Sequence, residues 1–195
     1  RSVCLAIFIG AGSRYEADSE AGASHFVEHL SFKGTQRRAT SKEISEAIEG
    51  VGGVLNGGTD KELTIYWCKV ALPHFDIALD VLSDMLLHSK FEPEQVEKER
   101  SVIIEEISST QDNPAEIVNL LIDKVLWPDQ ALGRDVAGSK ETVSAFTRQH
   151  LIDFRARRYL ARNAVVSVAG DVDHQSIVER ISRAGMEDQF GQILV

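Results

Sequence analysis

The order of the apolar segments constrains the fold of this 195-residue chain more than any other feature. Short apolar or alternating runs of strand length are interspersed with longer segments whose apolar residues recur at helical spacing. The strand-like runs cover residues 3–9, 54–56, 62–72 and 164–169, and helical segments begin near residues 21, 41, 74, 93, 114, 142 and 173. We expect Ser41 to cap the helix that follows it and a single helix to run from Thr142 to Tyr159. No regular strand–helix–strand repeat occurs, so we predict an α+β fold in which helices cover a mostly antiparallel sheet.

The chain length is sufficient for one domain with a substantial core, and we expect a single domain over residues 1–195. Because the sequence begins with Arg1 and runs directly into a strand, we expect that the native N-terminus has been removed. The weak pattern of residues 185–195 predicts a frayed end. No apolar run reaches the length of a membrane span. We expect a cytoplasmic protein, with the mitochondrial matrix and the periplasm as alternatives.

The charge and the cysteines narrow the class of protein. The formal net charge is -9, which disfavours binding to a phosphate backbone, so no nucleic-acid partner is expected. Cys4 and Cys68 lie in apolar strand-like runs and form no Cys-x-x-Cys pair. We interpret them as buried thiols in a reducing compartment, with a disulfide between them as the alternative.

The predicted helix over residues 21–32 carries two histidines four residues apart. His25 and His29 therefore point the same way, one turn apart, and Glu28 lies between them. An imidazole pair suits zinc, and a neighbouring carboxylate can take a proton from a zinc-bound water in this inverted His-x-x-Glu-His motif. The same spacing also arises by chance on solvated helices, in about a few per cent of chains of this length. Here the helix is apolar on both sides, which predicts burial and hence a need for partners.

A catalytic zinc site usually has three protein ligands, so one more must come from another segment. The helix predicted from residue 94 to residue 109 is rich in glutamate. Helical periodicity places Glu99 and Glu106 at the edge of its apolar face and Glu105 nearly opposite. Glu99 and Glu106 are about 10 Å apart along the axis, so we expect one to bind the ion and the other to support the site.

These residues stand in longer runs that resemble the M16 peptidases, the family of pitrilysin and the mitochondrial processing peptidase. Residues 22–35 read Gly-Ala-Ser-His-Phe-Val-Glu-His-Leu-Ser-Phe-Lys-Gly-Thr and resemble the family signature. Further similarity lies in residues 99–107, in residues 132–134 with Gly138, and in residues 163–172, so the resemblance covers nearly the whole chain. It identifies the chain as similar to the metal-binding half of such an enzyme.

The resemblance implies a zinc-dependent endopeptidase and assigns roles to individual residues. His25, His29 and Glu106 would bind Zn²⁺, since the family has its third ligand 76 intervening residues beyond the second histidine. Glu28 would be the general base that activates the zinc-bound water, and Glu99 would support the site.

The resemblance also implies how the substrate and the partners are bound. Residues 55–59 correspond to an edge strand that pairs with an extended peptide, and Asn56 would bind the substrate near the scissile bond. Asn56 and the glycines after it fit a simple turn equally well. The family commonly has alanine where this chain has Gly57, which predicts a less rigid edge. The expected partners are an unfolded polypeptide substrate and a second M16 half, a homologous subunit or another copy of the chain.

A non-enzymatic subunit is the main alternative. Structural members of the family typically have degraded motifs, whereas His25, Glu28, His29, Glu99 and Glu106 are all present here. An unrelated metal-binding protein with the same helix motif would leave the other similarities unexplained. The sequence therefore favours a peptidase.

Overall fold

The computed structural model describes residues 1–183, and the end predicted to fray, residues 185–195, lies outside this part of the chain. Four strands form one antiparallel sheet in the order β2-β3-β1-β4. The strands are β1 (Ser2–Ile9), β2 (Val54–Thr59), β3 (Thr64–Ala71) and β4 (Ala164–Gly170). The helices are α1 (Ala23–Ser31), α2 (Ser41–Glu49), α3 (Phe75–His88), α4 (Pro93–Asp112), α5 (Pro114–Leu126), α6 (Lys140–Ala145), α7 (Arg148–Arg158) and α8 (His174–Arg183). The predicted fold class is confirmed.

One face of the sheet forms the first core. Side chains alternate along β1, so Leu5 and Ile7 point to the same face and lie opposite Cys68 and Tyr66 of β3. All four are buried and pack with apolar residues of α2, α3 and α8. The helices of this core therefore cover one side of the sheet.

A second core lies between α1, α4, α6 and α7. Phe26 of α1 is completely buried there, and its ring packs edge-on against Phe146. Phe32, just after α1, packs instead against Tyr66 of the sheet, with ring centroids 6.0 Å apart. Helix α1 is thus held between the two cores, which explains why it is apolar on both sides.

Two predicted helix boundaries were wrong. Residues 142–159 do not form one helix: α6 ends at Ala145, and Thr147 begins α7 by accepting a hydrogen bond from the His150 amide at 3.2 Å. Likewise, the cap of α2 is Thr40 and not Ser41, since the Thr40 hydroxyl accepts from the Glu43 amide at 3.2 Å. In both cases a threonine hydroxyl satisfies a free amide of the first turn.

The two cysteines are free thiols, so the disulfide alternative was wrong. Cys4 is paired with Lys69, whereas Cys68 is paired with Leu5. Because paired residues share a face, the two thiols point to opposite faces of the sheet. None of the helices within residues 1–183 is long and apolar enough to cross a membrane.

Candidate metal centre

The start of α1 is fixed by a glycine and a buried glutamate. Gly22 has a φ of 94°, and a side chain there would lie 2.5 Å from the carbonyl oxygen of Ala137. The Glu16 carboxylate accepts hydrogen bonds from the Gly22 and Ser24 amides at 2.8 and 2.7 Å. A carboxylate is favourable at this end of the helix. The turn that precedes His25 therefore has a defined position.

The two histidines of α1 meet through their Nε2 atoms, which are 3.1 Å apart. Burial, together with the neighbouring His29, lowers the pKa of His25 to about 4, so its imidazole is neutral at neutral pH. Its Nδ1 is buried and makes no hydrogen bond within the described residues. A neutral imidazole has a lone pair that can bind a metal ion.

His29 has a second partner on its other side. Its Nδ1 lies 3.2 Å from Oε2 of Glu99, whose side chain is only 2% exposed. Because a carboxylate only accepts, Nδ1 carries the hydrogen and Nε2 faces His25. Burial lowers the pKa of His29, but the Glu99 hydrogen bond and the charges of Glu28 and Glu106 raise it overall. For the Glu99 carboxyl group, burial raises the pKa, but the hydrogen bonds to His29 and Lys33 lower it overall.

Glu106 of α4 faces the same two nitrogens. Its Oε2 lies 3.8 Å from Nε2 of His25 and 3.7 Å from Nε2 of His29. Ligand atoms at the corners of a tetrahedral zinc site are about 3.3 Å apart, given zinc–ligand bonds of about 2.0–2.1 Å. The triangle formed by the three atoms is close to one face of such a tetrahedron. Glu99 lies on the far side of His29, and Glu105 is exposed.

Glu28 completes the cluster. It is 8% exposed, and one ligand atom from each of His25, Glu28 and His29 lies within 4.8 Å of the others. Burial raises the pKa of Glu28; His29 opposes this effect and Glu106 adds to it. A carboxylate with a raised pKa accepts a proton more readily near neutral pH. The donor set of two imidazoles and a carboxylate, with a second carboxylate beside it, fits Zn²⁺.

A cleft of about 270 Å³ opens beside this cluster, between α1 and the edge strand β2. It is lined by Glu28, His29, Phe32, Lys33, Leu55, Asn56 and Gly57. Within the described residues, the outer edge of β2 pairs with no other strand. Asn56 thus lies at the cleft, and its side-chain oxygen accepts a hydrogen bond from the Gly57 amide at 2.8 Å. A larger cavity, of about 590 Å³, lies beside α5 and contains none of the predicted site residues.

Sequence reasoning missed three residues that hold the site in place. Glu16 caps α1, and Lys33 Nζ lies 2.8 Å from Oε1 of Glu99. The Arg134 guanidinium donates to the carbonyl oxygens of Ser13 and Glu16 at 3.2 and 2.6 Å, which fixes the loop before α1. Lys33 and Arg134 stand in the runs that resemble the M16 peptidases, and this resemblance was the only sequence feature that pointed to them. No such feature pointed to Glu16.

Comparison with known proteins shows extended similarity. Residues 1–140 match the family Insulinase (Peptidase family M16), and residues 145–192 match the Peptidase M16 inactive domain. An uncharacterized zinc protease of Rickettsia felis is 41% identical over 182 residues, which cover 93% of this chain and 44% of that protein. The chain therefore spans less than half the length of this relative.

Solved structures show the same fold. A protease from Helicobacter pylori superposes with a TM-score of 0.92 at 22% identity, over 100% of this chain and 47% of that one. The periplasmic protease PqqL from Escherichia coli superposes with a TM-score of 0.85 at 26% identity, over 98% of this chain and 21% of that one. With the family match over residues 1–140, these similarities show that the chain belongs to the M16 peptidase family.

Proposed function

We propose that this chain is the metal-binding domain of a zinc-dependent endopeptidase that hydrolyses extended peptides. The triangle formed by Nε2 of His25, Nε2 of His29 and Oε2 of Glu106 carries the proposal, because its edges of 3.1, 3.8 and 3.7 Å are close to those of a zinc coordination tetrahedron. The similarity to proteins named zinc proteases supports the choice of metal.

Each residue of the site then has a chemical role. His25, His29 and Glu106 would hold the zinc ion, which when bound would supply Lewis acidity at the cleft. Glu28 accepts a proton from the attacking water and delivers it to the amine that leaves. Its burial favours this exchange, because the raised pKa brings the carboxyl group closer to neutral pH. Glu99 keeps the hydrogen of His29 on Nδ1, which leaves Nε2 free as a ligand.

The substrate would enter as an extended strand. The free edge of β2 borders the cleft and offers backbone groups to a peptide that adds to the sheet. Asn56 would turn from the Gly57 amide to the substrate, near the bond that is cleaved. This mode of binding selects polypeptides that are unfolded over at least a few residues.

The complete enzyme would need a second M16 half, a homologous subunit or a second copy of this chain. One of the similar solved structures is described as the first half of PqqL, and this chain covers 44% of the Rickettsia felis relative. We therefore expect the chain alone to bind zinc and to cleave peptides slowly. Its two free thiols favour a reducing location, and we propose the cytoplasm.

Zinc titration combined with a cleavage assay tests this function. The chain is first treated with a chelator, and zinc is then added back while cleavage of an unfolded polypeptide is followed. We expect about one zinc ion per chain and slow cleavage that appears only with zinc. Failure to bind zinc at neutral pH would contradict the proposal and would favour a structural subunit of the family.

A further inference from the structure

Lys33 connects the wall of the cleft to the buried carboxylate behind His29. Its Nζ lies 2.8 Å from Oε1 of Glu99, and the other oxygen of that carboxylate lies 3.2 Å from Nδ1 of His29. Glu99 thus bridges an ammonium group and an imidazole with its two oxygens. The Lys33 side chain is 30% exposed and that of Glu99 only 2% exposed, so the ion pair extends from the cleft to the interior.

A carboxylate as buried as Glu99 needs more than one partner to stay in place. Removing a charge from water is costly unless hydrogen bonds and an opposite charge compensate. Lys33 supplies the only opposite charge in a salt bridge with Glu99 among residues 1–183, apart from His29 itself. Without Lys33, one oxygen of Glu99 would lose its partner, and the carboxylate could rotate away from Nδ1 of His29.

We propose that Lys33 is a positioning residue for the zinc site, which acts through Glu99 to fix the ring of His29. The inference rests on the proposed zinc-binding function. Partners in the outer shell of a zinc site orient the ligands and change metal affinity by about 10–100-fold. Lys33 would have the same kind of effect, although it contacts Glu99 and not a zinc ligand itself.

If Lys33 acted on the zinc ion only through its charge, replacing it would tighten zinc binding and not weaken it. Its positive charge near a dication would weaken zinc binding, so its removal would tighten binding. Positioning through Glu99 predicts that its removal weakens binding. The sign of the change therefore distinguishes the two roles.

Zinc affinity, measured by competition with a chromogenic chelator at neutral pH, tests the inference without any assay of activity. We expect Lys33→Met to weaken zinc binding about tenfold and Lys33→Arg to stay within about threefold of the wild type. Lys42→Met is the matched control, since Lys42 is 80% exposed on α2 and, among residues 1–183, forms a salt bridge only with Glu46, at 3.5 Å. This control should leave the affinity unchanged.

A double-mutant cycle shows whether Lys33 acts through Glu99. In the Glu99→Gln background, we expect Lys33→Met to cause no further loss of zinc affinity. Unchanged or tighter binding by Lys33→Met, or an equal loss in both backgrounds, would overturn the inference. If circular dichroism shows that Lys33→Met is unfolded, Lys33→Gln is measured in the same way. A wild type that binds no zinc would instead refute the proposed function itself.

Discussion

A methyl group on Gly57 would lie 2.8 Å from Oε1 of Glu28 and equally close to the ring of Phe32. The edge strand and the candidate base thus face each other with no space for an ordinary side chain between them. The sequence predicted that glycine would loosen this edge. The structure adds a steric reason for glycine, because a Cβ atom at this position would collide with Glu28 and Phe32 in the wall of the cleft.

Filling this space should block the site without removing the metal. We expect Gly57→Val to lower the rate of peptide cleavage by at least about tenfold, since the branched side chain would displace Glu28 and Phe32. Zinc affinity should change little, because the atoms nearest to a side chain at position 57 belong to Glu28 and Phe32, neither of which is a proposed ligand. Gly58→Val is the control, as no atom of the described part of the chain, beyond the neighbours of Gly58 in sequence, lies within 4 Å of a Cβ atom built at Gly58. Equal activity of the two variants would contradict the proposed path of the substrate.

Substitutions at Glu106 and at its neighbour Glu105 provide a matched test of the third zinc ligand. We expect Glu106→Gln to weaken zinc binding at least about tenfold, because a neutral amide oxygen replaces a charged ligand. Glu105→Gln should have no effect, since Glu105 is exposed on the opposite side of α4. Isothermal titration with zinc measures both. Equal zinc affinities of the two variants would show that Glu106 is not a ligand and would make Glu28 the candidate third ligand.

Sequence reasoning predicted which candidate residues lie together where helical geometry determines their positions. His25, Glu28 and His29 lie on one helix, so their proximity follows from their spacing alone. The choice of Glu99 and Glu106 over Glu105 also follows from periodicity, once the apolar face of α4 is known. Periodicity does not show how α4 packs against α1. That packing decides that Glu99 lies at Nδ1 of His29 and Glu106 near its Nε2.

The parts that sequence reasoning missed are contacts between distant segments. Glu16 reaches the start of α1 from a preceding loop, and Lys33 meets Glu99 across 66 positions of the chain. The break between α6 and α7 is a local feature, yet apolar periodicity continued across it. Only the cap formed by the Thr147 hydroxyl marked the boundary.

The thiols should differ strongly in reactivity. Burial, together with the nearby Cys4, raises the pKa of Cys68 to about 12, so its thiolate fraction at about pH 8 is of order one in ten thousand. Cys4 is only partly buried, on the other face of the sheet. We expect Cys4 to be alkylated first in the native protein, and Cys68 only after unfolding. Mass spectrometry of Cys4→Ser and Cys68→Ser tests this, and rapid alkylation of folded Cys4→Ser would contradict it.

The metal-free protein should lose stability in mild acid because of His25. The pKa of His25 is about 4 in the folded state and about 6.5 when unfolded, so only the unfolded state binds the proton between these values. The contribution of His25 to stability is therefore lost as the pH decreases through this window and is unchanged above it. At about pH 5 the loss is about 2 kcal/mol.

Urea unfolding in the presence of a chelator, at about pH 7.5 and about pH 5, measures this effect. We expect His25→Gln to lose about 2 kcal/mol less than the wild type between the two conditions. His174→Gln is the control, because His174 is exposed at the start of α8. A loss as large in His25→Gln as in the wild type would argue against the burial of a neutral His25.

Replacement of Glu28 by glutamine tests the central claim most directly. The change keeps the size of the side chain and removes its ability to take a proton. Zinc content and cleavage of a fluorogenic extended peptide are measured together on the wild type and on Glu28→Gln. We expect about one zinc ion per chain in both proteins, with slow but measurable cleavage by the wild type and at least a hundredfold less, on the order of the background rate, by the variant. Equal cleavage by the two proteins, or the absence of bound zinc in both, would contradict a zinc peptidase that uses Glu28 as its base.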